Sequence, residues 1–402
     1  MREKSRMLVV LCACVGLAIL RFAMPEKHFA TTTGNSRGAS ADALQNPALT
    51  DPDQFNWQLF VEINKAAQAG SATAVWETWA ADEDVYDNPN VKPIWPGSSP
   101  QLLMQRARSK KLRPITQLQV GREELRQIQR RRRGRRRAAE PLLQFLPPQA
   151  AGEEVRMNKT AFDFVVGNDL WYIQGQEAAF KKGDKIDFPP DAKEIKAIWR
   201  PISEAQKPRY HWAGNPLDGN KPYGLVALHV ISKALPNWTW ATFEQVDNPN
   251  RCKVEGCHDS FGLTPDGQVS PALLKMFGDA GLGSEWQYYR LDGSQVDFVN
   301  ASSQPTILGN SVTENGFMLT SSCITCHARS TIGPPLAGKP GANRLSVFQP
   351  PPPPPTPPDR LLSYNGAPDP KWFFTDPANP ATLKYLQLDF AWSFRRARRR
   401  TP

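Results

Sequence analysis

The chain has 402 residues, of which 40 % are hydrophobic and 22 % charged, and a net charge of +10. This length is enough for two or three domains or for one large one. The charge does not indicate a nucleic-acid binder, because twelve arginines lie in two short runs, Arg130–Arg137 and Arg395–Arg400, and the rest of the chain is close to neutral. The 27 glycines and 38 prolines predict a structure rich in loops.

The N-terminus has the pattern of an export signal. Basic residues at positions 2, 4 and 6 precede an uncharged apolar run, Met7–Leu20. The run is shorter than the ~20 residues that a transmembrane helix needs and suits the apolar part of a secretory signal. We therefore expect residues 1–24 to be a signal peptide or, if it is not cleaved, a membrane anchor. The small polar residues 25–50 are the expected linker.

The predicted N-terminal part of the main body, residues 51–104, is helical. Phe55–Asn64 reads as a helix that starts at an Asp-Pro-Asp sequence, and Ala74–Trp79 either continues a helix or begins a strand. The arginine-rich residues 105–145 are expected to form a solvated, disordered insertion. If the chain is bound to a membrane, these arginines suit anionic lipid headgroups.

Residues 146–299 are the predicted β-rich main body. The clearest element is a hairpin formed by Tyr223–Lys233 and Asn237–Val246, both rich in β-branched and aromatic residues. A short helix behind a serine cap is expected at Ser270–Phe277. Further candidate strands are Ala161–Val166, Leu170–Tyr172 and Glu194–Pro201.

The motif with the most specific chemistry is Cys323-Ile324-Thr325-Cys326-His327. Its C-x-x-C-H spacing is that of c-type haem attachment, in which two thiols bind the porphyrin covalently and the histidine binds the iron. Cys323 and Cys326 are therefore the predicted covalent attachment residues, and His327 is the predicted proximal ligand. The alternatives are a redox pair of thiols and a zinc site, although zinc needs four ligands and the motif offers three at most.

A second group of cysteines leaves more than one interpretation open. Cys252 and Cys257 are followed directly by His258, which gives a C-x4-C-H pattern. An oxidising compartment favours a short-loop disulfide here. A second haem site and free thiols are the other two interpretations.

The sixth ligand of the expected iron has no downstream candidate, because residues 328–402 contain neither methionine nor histidine. His258 and His229 are the first upstream candidates. His229 alternates with Leu225, Ala227 and Ile231 along a predicted strand, where a hydrogen-bonded core histidine is the competing interpretation. An open distal site is the third alternative. The remaining upstream candidates are His211, Met157, Met276 and Met318.

Several strings in the chain resemble one family of proteins. These strings are Asn237–Glu244, Cys257–Ser260, Leu308–Ser311, Ser321–Arg329 and Leu386–Trp392, together with Phe55–Asn64 and Trp76–Trp79. They resemble a group of large exported bacterial proteins described as cytochrome c family, over most of residues 50–394 outside the arginine insertion and a polyproline stretch. The resemblance implies a c-type cytochrome with one haem held by Cys323, Cys326 and His327, and it names no substrate.

Together these patterns predict an α+β protein. We expect an antiparallel β-rich main body with helices, and a small, mostly helical or irregular haem c segment at 300–348 packed on it. Residues 349–360 are the predicted polyproline spacer, 361–394 a C-terminal docking segment and 395–402 a basic tail.

The expected function is that of a periplasmic c-type cytochrome that transfers single electrons between redox partner proteins, without nucleic acid. A haem-dependent oxidoreductase with an open distal site and a dihaem cytochrome are the alternatives.

Overall fold

The computed structural model describes residues 46–96, 112–114, 152–253, 256–314, 318, 321–338, 341–345 and 366–401. The predicted signal segment and polyproline spacer lie outside these ranges, as do most of the predicted linker and most of the arginine insertion. Within the described ranges, we find no helix with the length and hydropathy that crossing a bilayer requires.

An antiparallel sheet of eight strands forms the centre of the structure. Six strands follow one another in the order β1-β3-β4-β6-β7-β8, while β2 pairs with β3 and β5 pairs with β6. This antiparallel sheet with its surrounding helices confirms the predicted α+β class. The strands are β1 Ala80–Ala81, β2 Arg113–Pro114, β3 Gly152–Met157, β4 Lys193–Pro201, β5 Trp212–Asn215, β6 Lys221–Ser232, β7 Thr239–Gln245 and β8 Tyr289–Gln295.

A second, two-stranded sheet pairs β9 (Thr331–Ile332) with β10 (Leu386–Gln387), and it joins the chain after the C-x-x-C-H motif to the C-terminal segment. The α-helices are α1 Pro47–Thr50, α2 Pro52–Asn64, α3 Asp82–Tyr86, α4 Lys159–Gly167, α5 Ile173–Lys182, α6 Pro271–Ala280 and α7 Cys323–His327. Short 3-10 helices cover Val75–Thr78, Glu204–Arg209, Pro216–Asp218, Ser284–Tyr288, Pro370–Trp372, Pro380–Thr382 and Trp392–Arg396.

Local signals explain the elements that the sequence predicts correctly. Helix α2 begins where Asp51 accepts a hydrogen bond from the backbone N–H of Gln54 at 3.2 Å. Helix α6 begins in the same way at Ser270, and it ends at Gly281, whose φ of 65° suits glycine. The hairpin is formed by β6 and β7, and the candidate strand Glu194–Pro201 is β4.

Two predicted strands are wrong. Ala161–Val166 lies within helix α4, whose buried residues Ala161, Phe162, Val165 and Val166 fall on one helical face. A short apolar run cannot be assigned to helix or strand from periodicity alone, and here the cap at Asn158 decides in favour of the helix. Leu170–Tyr172 is a turn that leads into α5, and only Tyr172 makes an isolated bridge, to Arg398.

The eight-stranded sheet separates the two larger of three hydrophobic clusters, which we call the first and second cores. On one face, Trp57 of α2 packs edge-on against Phe243 of β7, with the ring centroids 5.0 Å apart. Phe60 of α2 packs against the same Phe243 ring in a tilted arrangement at 4.5 Å. Phe277 of α6 contacts Trp57 and completes the group. The other face carries Ile231 and Trp240 and is covered by α4, α7 and the C-terminal segment. The candidate functional residues lie in this second core.

A β-bulge places Leu225 on the face of β6 opposite to the predicted one. The pairing of β4 with β6 shifts between Ile198 and Trp199, so Ala227 pairs with Ile198 but Leu225 pairs with Trp199. Leu225 therefore packs in the core with α2, on the face opposite His229. Ala227 and Ile231 stay on the His229 face, as the alternation predicts.

The C-terminal arginines contact the main body. Arg396 pairs with Asp82 of α3 and Glu153 of β3, each at 3.2 Å. Arg399 pairs with Glu177 of α5 at 2.5 Å. Residues 386–400 are thus held on the sheet and its helices by burial of Leu388, Phe390 and Phe394 and by these ion pairs.

Candidate cofactor site

Helix α7 presents the three residues of the C-x-x-C-H motif on one face. Ile324 and Thr325 are fully buried and fix the helix on the second core, whereas Cys323, Cys326 and His327 are half-buried. Positions i, i+3 and i+4 of a helix share a face, which is why the spacing groups these side chains. The helix therefore groups both thiols and the imidazole on one face.

Polar contacts to strand β8 fix the start of this helix. The side chain of Gln295 accepts from the backbone N–H of Ile324 at 3.0 Å and donates to the Ser322 hydroxyl at 2.8 Å. Ser322 is the N-cap of the helix. On the opposite side, the Thr325 hydroxyl donates to the carbonyl of Gly366 at 2.7 Å. The motif is thus held between the main sheet and the C-terminal segment.

The imidazole of His327 is fixed in one orientation. Its ring lies 4.6 Å from the Trp240 ring and 5.5 Å from the Trp392 ring. Its Nδ1–H donates to the carbonyl of Phe390 at 2.9 Å, so Nε2 carries the lone pair. Burial lowers the pKa of His327 to about 4, which keeps the ring neutral near pH 7. A neutral imidazole with a backbone acceptor at Nδ1 is the form in which histidine binds a metal.

The carbonyl of Phe390 is held in place by a strained turn. Asp389 and Phe390 have φ angles of 45° and 65°, a left-handed conformation that is unfavourable for residues with a side chain. Asp389 is buried and accepts from the backbone N–H of Phe188 and from Lys233 Nζ, both at 2.7 Å. These bonds stabilise the turn that presents the carbonyl to His327.

The two thiols of the motif are free, and burial keeps them protonated. Cys323 and Cys326 form no disulfide with each other. Burial raises the pKa of Cys326 to about 12, and burial followed by the charge of Glu314 raises the pKa of Cys323 well above its ordinary value. Both sulfurs are therefore protonated at neutral pH, unlike the low-pKa thiol of a redox pair.

The positions of the three motif side chains do not suit a shared zinc ion. A zinc ion shared by the motif would need its three ligand atoms within a few ångström of one another. Among the described residues, the one group of three metal-ligating side chains with all ligand atoms within 4.8 Å is Cys252, Cys257 and Asp292, and it does not include the motif.

Cys252 and Cys257 form a disulfide bond. Their sulfurs are therefore not available as metal ligands beside Asp292. A second haem site at these residues would require the disulfide to be opened. His258 lies beside this loop at the surface, where its side chain is 82 % exposed and its Nδ1 is 3.1 Å from Asp53 of α2.

His229 lies on the face of the sheet that carries α7. Its Nε2 is 3.0 Å from the side-chain amide nitrogen of Asn310 and 3.1 Å from the Thr313 hydroxyl. Because the amide donates, Nε2 already accepts a hydrogen bond, as in a satisfied core histidine. Burial, then the charges of Lys196 and His327, lowers the pKa of His229 well below its ordinary value. Of the two first candidates for the sixth ligand, the structure thus brings His229, and not His258, to the motif.

An acidic residue completes this polar cluster, which we define as His229, Asn310, Thr313, Glu314 and Lys196. Glu314 Oε2 lies 3.7 Å from His229 Nε2, and the Glu314 carboxylate accepts from the backbone N–H of Asn310 at 2.7 Å. Burial raises the pKa of Glu314 to about 7. The cluster therefore places a largely buried acid beside an imidazole. Both lie near the thiol of Cys323, since the charge of Glu314 contributes to the raised pKa of that thiol.

Sequence reasoning did not single out Gln295, Asp389 or the carbonyl of Phe390. Gln295 is a polar residue at the end of a strand, a pattern with no specific signal, and the other contacts come from the C-terminal segment. The chain matches no protein-family model, no curated protein and no solved structure.

Proposed function

We propose that this chain is an exported c-type cytochrome in which Cys323 and Cys326 hold one haem covalently and His327 binds its iron. The observation that carries the proposal is the neutral His327 ring, fixed through Nδ1 by the Phe390 carbonyl, on the same helical face as two free thiols. These residues fit the chemistry of the group: two thiols for thioether bonds and one Nε2 lone pair for iron. When bound, haem supplies one-electron redox chemistry.

The rest of the chain supports the group without taking part in covalent chemistry. Gln295 and Gly366 fix α7, and Trp240 and Trp392 restrict rotation of the imidazole. The small haem segment of the sequence prediction is, in this proposal, α7 with its flanking residues packed on the main sheet. We further propose that the protein acts in the periplasm and passes single electrons to redox partner proteins. The Cys252–Cys257 disulfide supports an oxidising compartment.

The test is haem stoichiometry in a host that carries the cytochrome c maturation machinery. Full-length protein is purified from the periplasmic fraction and analysed by pyridine haemochrome absorbance and intact mass. We expect one covalent haem per chain, none in the C323S/C326S double variant, and one in the matched C252S/C257S variant. Two haems in the wild type would replace the proposal with a dihaem cytochrome, and none in any variant would overturn it.

A second candidate function, a haem-dependent oxidoreductase, is favoured by the polar cluster. A buried acid beside an imidazole is the type of arrangement that moves protons to and from a small ligand. Because His229 Nε2 already accepts from Asn310, the cluster is better suited to act on a ligand than to bind iron itself.

Spectra separate the two candidates. Low-spin iron that does not bind carbon monoxide favours the electron carrier, and high-spin iron that binds it favours the oxidoreductase. For the oxidoreductase, E314Q should slow the reaction with hydrogen peroxide and leave the haem content unchanged. E204Q, on an exposed 3-10 helix, is the matched control.

A further inference from the structure

A cavity of about 110 Å³ lies between strand β10, the end of β6 and the loop before α7. Its walls are mainly apolar and aromatic. They include Phe298, Phe373, Phe374, Leu383, Leu386 and Phe390. The volume is of the same order as, though smaller than, the ~150 Å³ of an engineered apolar cavity that binds benzene. Cys323, Cys326 and His327 do not line the cavity. It shares with their site the turn that holds His327, namely Phe390, whose carbonyl accepts from His327, and Asp389 with its partner Lys233.

The polar end of the cavity carries no free charge. Lys233 is buried there, and its three N–H groups are directed at Asp389, Asp187 and the carbonyl of Pro236, at 2.7, 3.0 and 2.9 Å. Lys185 also pairs with Asp187 at 2.8 Å. Two ammonium groups and two carboxylates thus neutralise one another. A charged ligand would find no counterion that is not already paired within this group.

A hydrogen-bonding group is nevertheless present at the same end. Asn237 lines the cavity and is half-buried, and its side-chain amide can both donate and accept. A ligand that fits therefore has one aromatic ring for the walls and a single neutral polar group, either a hydroxyl or a carbonyl.

We propose that this cavity is a binding site for a small neutral aromatic molecule of the phenol class. The ring lies among Phe298, Phe374 and Phe390, and the hydroxyl is directed toward Asn237. The site goes beyond the proposed haem chemistry, and binding does not require haem.

The probe is 4-fluorophenol, followed by the fluorine NMR relaxation of the ligand on addition of the full-length exported protein. We expect saturable binding in the wild type. Leu383 is half-buried and lines the cavity, so L383W should fill the space and weaken binding at least tenfold. L274W, at a position 41 % exposed on α6 and outside the cavity, is the matched control and should bind as the wild type does.

Two further measurements keep the proposal open to refutation if L383W does not fold. Cyclohexanol, of similar size but without a ring of π electrons, should compete at least tenfold less well than phenol. A crystal soaked with 4-bromophenol should show the bromine within the cavity.

Equal competition by cyclohexanol overturns the aromatic class. A weak fragment complex has a dissociation constant of ~1 mM. Absence of saturable binding at a ligand concentration ten times that value overturns the site, and so does a bromine located elsewhere. A failure here leaves the haem stoichiometry untouched, so the two proposals fail independently.

Discussion

Replacing Asp389 by alanine should destabilise the protein and disturb the orientation of His327. The Asp389 carboxylate accepts from Phe188 N–H and from Lys233 Nζ, both at 2.7 Å, and the side chains of both charged residues are 6 % exposed. In D389A the Phe188 N–H loses its acceptor, which costs roughly 1–3 kcal/mol. Alanine tolerates the φ of 45° found here less well than aspartate does, which adds a part of the roughly 1–2 kcal/mol that the left-handed conformation costs.

The loss of the ion pair adds to this cost, but less than for an isolated buried pair. Lys233 keeps Asp187 at 3.0 Å and the Pro236 carbonyl at 2.9 Å, so its charge is not left alone. The loss therefore falls below the roughly 3–5 kcal/mol that breaking a buried pair usually costs. Summed over these effects, we expect D389A to lower the free energy of unfolding by about 3–5 kcal/mol, a large fraction of the stability of a typical domain.

Urea unfolding followed by tryptophan fluorescence measures this loss. D389N is the control, because asparagine tolerates the left-handed conformation and can still accept from Phe188, so its loss should be smaller. If haem is attached, D389A should also change the Soret spectrum more than D389N does, since the Phe390 carbonyl then no longer fixes His327. A loss below 1 kcal/mol for D389A, or equal losses for the two variants, would refute the role assigned to the turn.

Two further changes test other parts of the structure. Burial raises the pKa of the Glu194 carboxyl from 4.5 to about 7, so the folded state binds the carboxyl proton more tightly than the unfolded state does. The stability that protonated Glu194 contributes is therefore complete below pH 4.5 and is lost as the pH rises through 7. E194Q should therefore stabilise the protein at pH 8 by about 1–3 kcal/mol and have little effect at pH 4. Denaturant titrations at both pH values measure the change in the free energy of unfolding, with E204Q as the exposed control. An equal effect of E194Q at both pH values would contradict the raised pKa of Glu194. The disulfide Cys252–Cys257 closes a loop with a sequence separation of 5, so C252S/C257S should lower the free energy of unfolding by about 2 kcal/mol, and no loss would show that the loop is equally restricted without it.

The elements that the sequence predicts correctly are those with local signals. Helix α2 has an aspartate cap and a proline at its first position, and the β6–β7 hairpin has a run of β-branched and aromatic residues on each side of a short loop. Where the local signal is ambiguous, tertiary packing decides. Ala161–Val166 has strand-like composition, yet its residues pack as one face of α4 against the second core.

In the candidate site, too, the residues with a local sequence signal are predicted and those without one are not. The C-x-x-C-H spacing predicts its own three side chains and their shared helical face, because all of that information lies within five residues. It does not predict the groups that orient them. The Phe390 carbonyl lies 63 positions after His327, and Gln295 lies 29 positions before Ile324. Such partners depend on how the C-terminal segment and β8 meet, and that is set by burial over the whole second core.

The C-terminal arginines show why a charge run has no fixed meaning in a sequence. Five arginines within six positions are typical of a solvated tail that attracts anions. Arg396 is nevertheless held by Asp82 and by Glu153, the latter 243 positions away. Burial raises the pKa of Asp82 well above its ordinary value, and the charge of Arg396 opposes this rise. The tail thus supplies counterions to acids that β3 and α3 bury. An attraction of this protein to anionic lipid is therefore to be sought first in residues 105–145, and deletion of that segment, not of the tail, is the change that should abolish it.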